Sequence, residues 1–217
     1  MDNMIRFSLF GNYEKFSTTN LEAYVKLIEF FGKKGYRPAT SNELQLQPNG
    51  QARVLIMPNF IGETGELVEI TSGRINFQKN IADCSDLTVF NNEFKNAFGD
   101  TIALFLKEMM IESNRVAINC DIFIPECDLN MPTQSSYFET TNRTEMSVRN
   151  VSQEMLADQL SNVIFEKYVA KVGNVTKYSY DINSVAENVE FRFNGENVNQ
   201  MYEAYIDVAL NIQKGMK

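Results

Sequence analysis

Apolar and polar residues alternate with two different periods along this chain, and the switches between them mark out its elements. Met4–Phe10 alternates residue by residue, as a strand with one buried face does. Leu21, Tyr24, Val25, Ile28 and Phe31 then recur at steps of three and four, which predicts a helix. Thr19 and Glu22 have the spacing of a capping box at its start. Lys33-Lys34-Gly35 is its stop, with cations against the negative end of the dipole and a glycine free to turn left-handed.

Alternation returns over Leu44–Gln47, Arg53–Phe60, Glu66–Thr71 and Arg74–Lys79. Pro48-Asn49-Gly50, Gly62–Gly65 and Ser72-Gly73 punctuate these runs, so the stretch reads as a four-stranded antiparallel meander. From Asp86 the period lengthens. Phe90, Phe94, Ala97, Phe98, Thr101, Phe105 and Met109 form one apolar face on a single long helix. Gly99 inside it costs about 1 kcal/mol relative to Ala. The stripe keeps its phase through Gly99, so a close approach to the sheet is expected there rather than a kink. Val116–Ile124 returns to strand character.

Pro125 to Asn150 breaks the pattern: it is polar, carries Pro125 and Pro132, and reads as a long loop, with a short strand at Ser147–Val151. Ser152–Leu160 predicts a short helix. Val163–Val172 and Val175–Asn183 flank Gly173-Asn174, a strong hairpin signal. Val189–Phe193 alternates as a further strand. Asn194 then caps a last helix with Val198, Met201, Tyr202, Tyr205, Ala209, Ile212 and Met216 on one face.

The expected fold class is α+β, with antiparallel β-meanders covered by long amphipathic helices. The element order runs strand, helix, meander and long helix, and then repeats in outline. That predicts two pseudo-symmetric halves, residues 1–113 and 114–217, within one continuous structural unit.

Leu67-Val-Glu-Ile-Thr-Ser-Gly-Arg-Ile-Asn-Phe-Gln78, followed by Phe90-Asn-Asn-Glu-Phe94 and Phe98, resembles a sporadically distributed family of uncharacterised bacterial proteins of about this size. Tyr180-Asp-Ile-Asn183 before the last helix is similar to an Asp-containing strand in the same family. The resemblance covers about half the chain. This sequence lacks the Trp often found after the hairpin Asn and the His often found in the last helix. The resemblance implies no activity and assigns no site residues.

Composition narrows the chemistry. A chain of 217 residues can bury a sizeable core. Its net charge of -8 is spread over both halves, and no basic stripe tracks phosphates, so neither nucleic acid nor an anionic membrane is an expected partner. The start lacks a signal-peptide layout and the three cysteines are an odd number, which together point to a reducing, cytoplasmic setting. The chain has no His, which removes His-based acid–base work, His metal ligation and Ser-His or Cys-His nucleophiles.

The remaining candidates are modest. Glu93-Phe-Lys95 has a nuclease-like spacing, but on a helix with Phe94 inward, so its charges belong to a solvated face. Cys120 alternates with Ile118 and Ile122 and reads as a buried, inert thiol. Asp121, Glu126 and Asp128 form an acidic cluster that could bind a divalent cation weakly or form a solvated loop entrance. Tyr178, Tyr180, Tyr202 and Tyr205 could line a ligand groove between the hairpin and the last helix, or simply pack with their hydroxyls at the rim. No catalytic set and no cofactor is expected. The leading expectation is a non-enzymatic protein-binding or self-associating module, with a homo-oligomer as the first case. The alternatives are a small-molecule binder with a pocket between the meander and the last helix, and a carboxylate-dependent metal hydrolase.

Overall fold

A computed structural model describes residues 3–82, 84–124, 145–171, 173–185 and 191–216 of the chain. Its elements are β1 (Asn3–Phe10), a short 3-10 turn (Glu14–Phe16), α1 (Leu21–Gly32), β2 (Arg37–Leu46), β3 (Ala52–Ile61), β4 (Glu66–Ile70) and β5 (Arg74–Ile81). There follow α2 (Leu87–Phe98), α3 (Thr101–Glu108), β6 (Arg115–Ile124), β7 (Glu145–Leu156), β8 (Gln159–Ala170), β9 (Val175–Ser184) and α4 (Val198–Met216). The strands make one antiparallel sheet in the order β2-β3-β4-β5-β1-β6-β9-β8-β7. The fold is therefore α+β, and β2 to β5 form the expected meander.

Register shows how the helices sit on the sheet. Phe60, Val68, Phe77 and Phe7 are cross-strand partners along one row, and residues directly opposite one another share a face. Rings from every helix meet that row. Phe31 of α1 stacks on Phe60 at 4.4 Å between centroids. Phe98 of α2 and Phe105 of α3 meet Phe77 edge-on at 5.5 and 5.8 Å. Tyr202 of α4 meets Phe7 at 5.5 Å and stacks on Phe94 at 5.1 Å. The core is thus an aromatic layer between these helices and one sheet face.

The long helix expected from residue 86 onward is two helices. Gly99 takes φ +35°, and a Cβ there would lie 3.0 Å from the Lys95 carbonyl oxygen. The break lets Phe98 and Phe105 close on the same Phe77 ring from successive helices, so the glycine serves a kink and not a close approach to the sheet. The α1 face is also rotated from the expected stripe. Leu27, Phe30 and Phe31 are buried, while Leu21 and Val25 are exposed, because the packing of Phe30 and Phe31 against Phe105 decides which side turns inward. Its N-cap is Asn20, whose side chain accepts from the Ala23 amide, so the Thr19 capping box does not form.

Ser152–Leu160 is not helical. It spans the end of β7, a tight turn and the start of β8. Ala157 and Asp158 both have positive φ, the signature of a two-residue hairpin turn, without the Asn-Gly that normally announces one. The short strand expected at Ser147–Val151 lies within β7, which starts at Glu145 and runs on to Leu156. Of the expected strand at Val189–Phe193, residues 189–190 lie outside the described residues, and Phe193 forms an isolated bridge with Ser113.

On the face turned away from the aromatic layer, amide side chains link neighbouring strands. Ser8 donates to Asn76 Oδ1 at 2.8 Å, and Asn76 donates to Glu69 Oε2 at 2.6 Å. Asn162 donates to Asn183 Oδ1 at 3.2 Å, and Gln153 to Asn162 Oδ1 at 3.0 Å. On the inner face Lys79 and Glu66 are opposite one another, and the ammonium donates to Glu66 Oε1 (2.7 Å), the Thr64 carbonyl (2.7 Å) and Thr64 Oγ1 (2.8 Å). All three ammonium protons are used, which ties the 62–65 turn to β5.

Candidate protein-binding edge

β2 ends the sheet, and among the described residues no strand pairs with its outer side. The direction of its main-chain groups follows from two prolines and three hydrogen bonds. Thr40 is opposite Pro58 and Pro38 is opposite Phe60. A proline has no N–H to exchange, so these belong to the pairs whose main-chain groups point away from each other. The Ile56 carbonyl, of the same parity, accepts from the Thr18 amide at 2.9 Å, outside the β2–β3 ladder. In the other parity, Gln47 N–H donates to the Gln51 carbonyl at 2.9 Å, within the hairpin. Gly62 N–H, in phase with Phe60, donates to Glu66 on the β4 side. Ser41, Glu43 and Gln45 therefore bond to β3, while Thr40, Asn42, Leu44 and Leu46 turn their N–H and C=O groups out to the free edge.

The same four residues carry the exposed face. Leu44 is 66% exposed and Leu46 is 79% exposed. Their cross-strand neighbourhood on β3 is also apolar: Val54, opposite Leu44, is 59% exposed, and Ile56, opposite Asn42, is 42% exposed. Leu46 is opposite Ala52. Edge strands are normally blunted by outward charges or proline. Here Pro38 stands at one end and Pro48 follows the other, with no charged side chain on the outward face between them.

The inner side of β2 is anchored. Glu43 accepts from the Ser72 amide at 2.8 Å and from the Ser72 hydroxyl. Burial pushes the Glu43 carboxyl up, but the hydrogen bonds from Ser72 and Gln45 outweigh it, and the net displacement is downward, so it stays ionised. Ser72 sits in the β4–β5 turn, and its carbonyl accepts from the Tyr13 amide at 2.7 Å. Gln45 reaches Glu14, which also pairs with Arg53 at 3.5 Å. These contacts hold the half-buried face of β2 inward and leave the leucine face to water.

The hydroxyls of the four tyrosines have different surroundings. Tyr202 donates to Asn91 Oδ1 at 2.9 Å, and Tyr205 lies 3.1 Å from Ser161 Oγ. Tyr180 is buried against Phe165, and its hydroxyl has no hydrogen-bond partner among the described residues. Tyr178 stacks on Phe165 with Lys167 over its ring. Burial raises the Tyr180 and Tyr202 hydroxyls well above the ordinary phenol value, and Tyr205 to about 12, so all three stay neutral. An open cleft of ≈ 670 Å³ lies elsewhere, between the loop after β1, the end of α3 and the residues leading into α4. A smaller one of ≈ 180 Å³ has Tyr202, Lys95 and Glu203 in its wall.

Of the acidic trio, Asp121 lies on β6, accepting from Ser179 Oγ at 2.7 Å and pairing with Lys177 at 3.1 Å. Glu126 and Asp128 lie outside the described residues. Among the described residues no group of three or more Cys, Asp or Glu is placed to hold a metal ion. Lys95 pairs with Glu203 at 2.7 Å beside a buried Phe94, the solvated-face arrangement expected of Glu93-Phe94-Lys95. Cys120 is fully buried, and burial raises its thiol far above the ordinary value, which leaves it unreactive. Cys127 lies outside the described residues. Among the described residues no helix is long and apolar enough to cross a membrane.

Comparison of the chain with protein-family models, curated sequences and solved structures finds no match. Sequence reasoning did not single out residues 40–46 as a site. The signal was present in the two prolines that bracket an alternation with one phase, 40, 42, 44 and 46, free of charge, but strand order alone tells which strand is left at the edge.

Proposed function

We propose that this chain is a non-enzymatic protein-binding module that takes an extended segment of another chain onto the outer side of β2. One observation carries the reading: an edge strand whose free main-chain groups and exposed leucines fall on the same four residues, 40, 42, 44 and 46. Strand addition uses that combination, with main-chain hydrogen bonds giving affinity and alternate side chains giving specificity. A net charge of -8 disfavours polyanionic partners, and a protein segment is the occupant that fits an uncharged strand edge. The free, buried Cys120 suits a reducing compartment, and we place the module in the cytoplasm.

The sheet order supports reading the fold as two pseudo-symmetric halves. β1 and β6 are neighbours at the centre, a run of strands extends outward from each, and helices follow each run. In that reading β2 is the outermost strand of the first half.

The test is direct binding of a labelled peptide spanning residues 37–46 to the full chain, followed by fluorescence anisotropy. The sequence-specific peptide binds and a scrambled one does not, and Leu46→Lys in the protein weakens binding at least about tenfold. Equal binding of both peptides, or none by either, contradicts strand addition.

A further inference from the structure

The geometry points to a second copy of this chain as the occupant of the β2 edge, paired antiparallel about a twofold axis with Leu44 opposite the copy's Leu44. This rests on the strand-addition reading above and adds both the partner and the register. Antiparallel pairing of a strand with its own copy is self-complementary by symmetry. It requires outward-facing residues to pair with outward-facing residues, because only they have free N–H and C=O groups. Four registers pair half or more of the strand, placing Ser41, Asn42, Glu43 or Leu44 on the axis.

The side chains choose among them. With Glu43 on the axis, two carboxylates that are already held ionised by Ser72 stand directly opposite each other, which is repulsive. With Ser41 or Asn42 on the axis, the copy's Pro38, which has no N–H to give, faces Leu44 or Leu46 respectively, and no leucine faces a leucine. With Leu44 on the axis, Leu44 meets Leu44 and Leu46 meets the copy's Asn42. Glu43 then faces Gln45, a neutral amide in place of a second carboxylate. The three outward pairs exchange about six main-chain hydrogen bonds, two for each pair. On the exposed face, Leu44 and Leu46 of both copies come together with Val54 flanking them on each side.

Charge supports a copy as the partner. The segment that overlaps in this register, residues 42–46, carries a single charged side chain, Glu43, held by Ser72 of its own chain, so two copies pair without setting like charges directly opposite each other. Its outward face has no charged side chain to desolvate.

The experiment uses the full chain with Cys84→Ser and Cys127→Ser, keeping Cys120 because it is fully buried. Single Leu44→Cys, Asn42→Cys and Glu43→Cys variants are oxidised mildly and followed by non-reducing electrophoresis, alongside sedimentation velocity of the unmodified chain from micromolar to millimolar concentration. Directly opposite residues of a hydrogen-bonded antiparallel pair have Cα atoms about 5.5 Å apart, within the range a disulfide spans. The expected result is a concentration-dependent dimer in which Leu44→Cys cross-links at least about tenfold faster than the other two variants. A dimer in which Leu44→Cys is not the fastest of the three to cross-link overturns the register. A strict monomer overturns the self-pairing altogether. Binding of the 37–46 peptide by such a monomer would leave the strand-addition reading standing while this inference falls, and loss of both would remove the two together.

Discussion

Replacing Glu66 by Gln tests how the meander behind the β2 edge is held. Glu66 and Lys79 are opposite partners in β4 and β5, with side chains 11% and 6% exposed and 2.7 Å between Oε1 and Nζ. Burial pushes the Glu66 carboxyl up, but hydrogen bonds from Lys79, Thr64 and main-chain amides outweigh it and hold it at about 2, against an ordinary 4.5. Each unit of displacement corresponds to about 1.4 kcal/mol, so ionised Glu66 contributes about 3 kcal/mol to folding. The folded pKa lies below the unfolded one, so this stability is fully present above pH 4.5 and is lost as pH falls from there to about 2. Gln keeps the shape and removes the charge, leaving a buried ammonium without its anion. Urea unfolding at a series of pH values is the assay. At pH 7 Glu66→Gln is less stable by about 3 kcal/mol. The gap narrows towards zero as pH falls to about 2, where half of the wild-type carboxyl is protonated. A variant within about 0.5 kcal/mol of wild type at pH 7, or a gap that does not change with pH, refutes the reasoning. The double variant Glu66→Leu/Lys79→Met, which removes both charges, recovers most of the loss.

Gly99→Ala separates a broken helix from a continuous one by sign. At φ +35° with a Cβ 3.0 Å from Lys95 O it destabilises by about 1–2 kcal/mol in chemical denaturation, whereas an uninterrupted helix would gain about 1 kcal/mol. Phe105→Ala removes a ring that meets Phe16, Phe30, Phe31 and Phe77, and costs about 3–5 kcal/mol by the same measurement. A loss below about 1 kcal/mol would mean that this layer is not the core. Ultraviolet titration of phenols shows a late group: burial raises Tyr13 and Tyr205 to about 12, so both remain protonated in the native protein at pH 11. Their unfolded pKa is near 10, so stability falls as pH rises from about 10 to 12. Full ionisation of all tyrosines near pH 10 while the protein stays folded would contradict their burial.

Local chemistry was legible where a turn or a period has a single physical reading. Gly173-Asn174 adopts the paired positive φ values its sequence announces, and Gly35 stops α1 in the left-handed region as expected. Ala157-Asp158 makes the same kind of turn with residues that do not favour it. Met155, Leu156 and Leu160 around it fall at helical spacing, so the local pattern pointed to a helix while pairing with β8 made a hairpin. The α1 stripe failed for a related reason. Two apolar faces compete on that helix, and the choice is made by Phe105, more than seventy positions away. The binding edge was the least legible part. Alternation in β2 gives two phases, and the pattern alone turns Leu44 and Leu46 inward. The opposite phase is set by Glu43 on Ser72 and by the place of β2 at the end of the sheet, and no short window of sequence carries either fact.

Residue-resolved amide hydrogen exchange as a function of protein concentration tests the β2 edge most directly. In dilute solution the amides of Thr40, Asn42, Leu44 and Leu46 exchange at the rate of unprotected chain, while those of Ser41, Glu43 and Gln45, bonded to β3, exchange slowly. At high concentration the amides of Asn42, Leu44 and Leu46 become protected and those of Ser41, Glu43 and Gln45 do not change. Uniform exchange along β2 regardless of concentration, or protection already complete in the dilute monomer, would contradict an edge that is open and built for pairing.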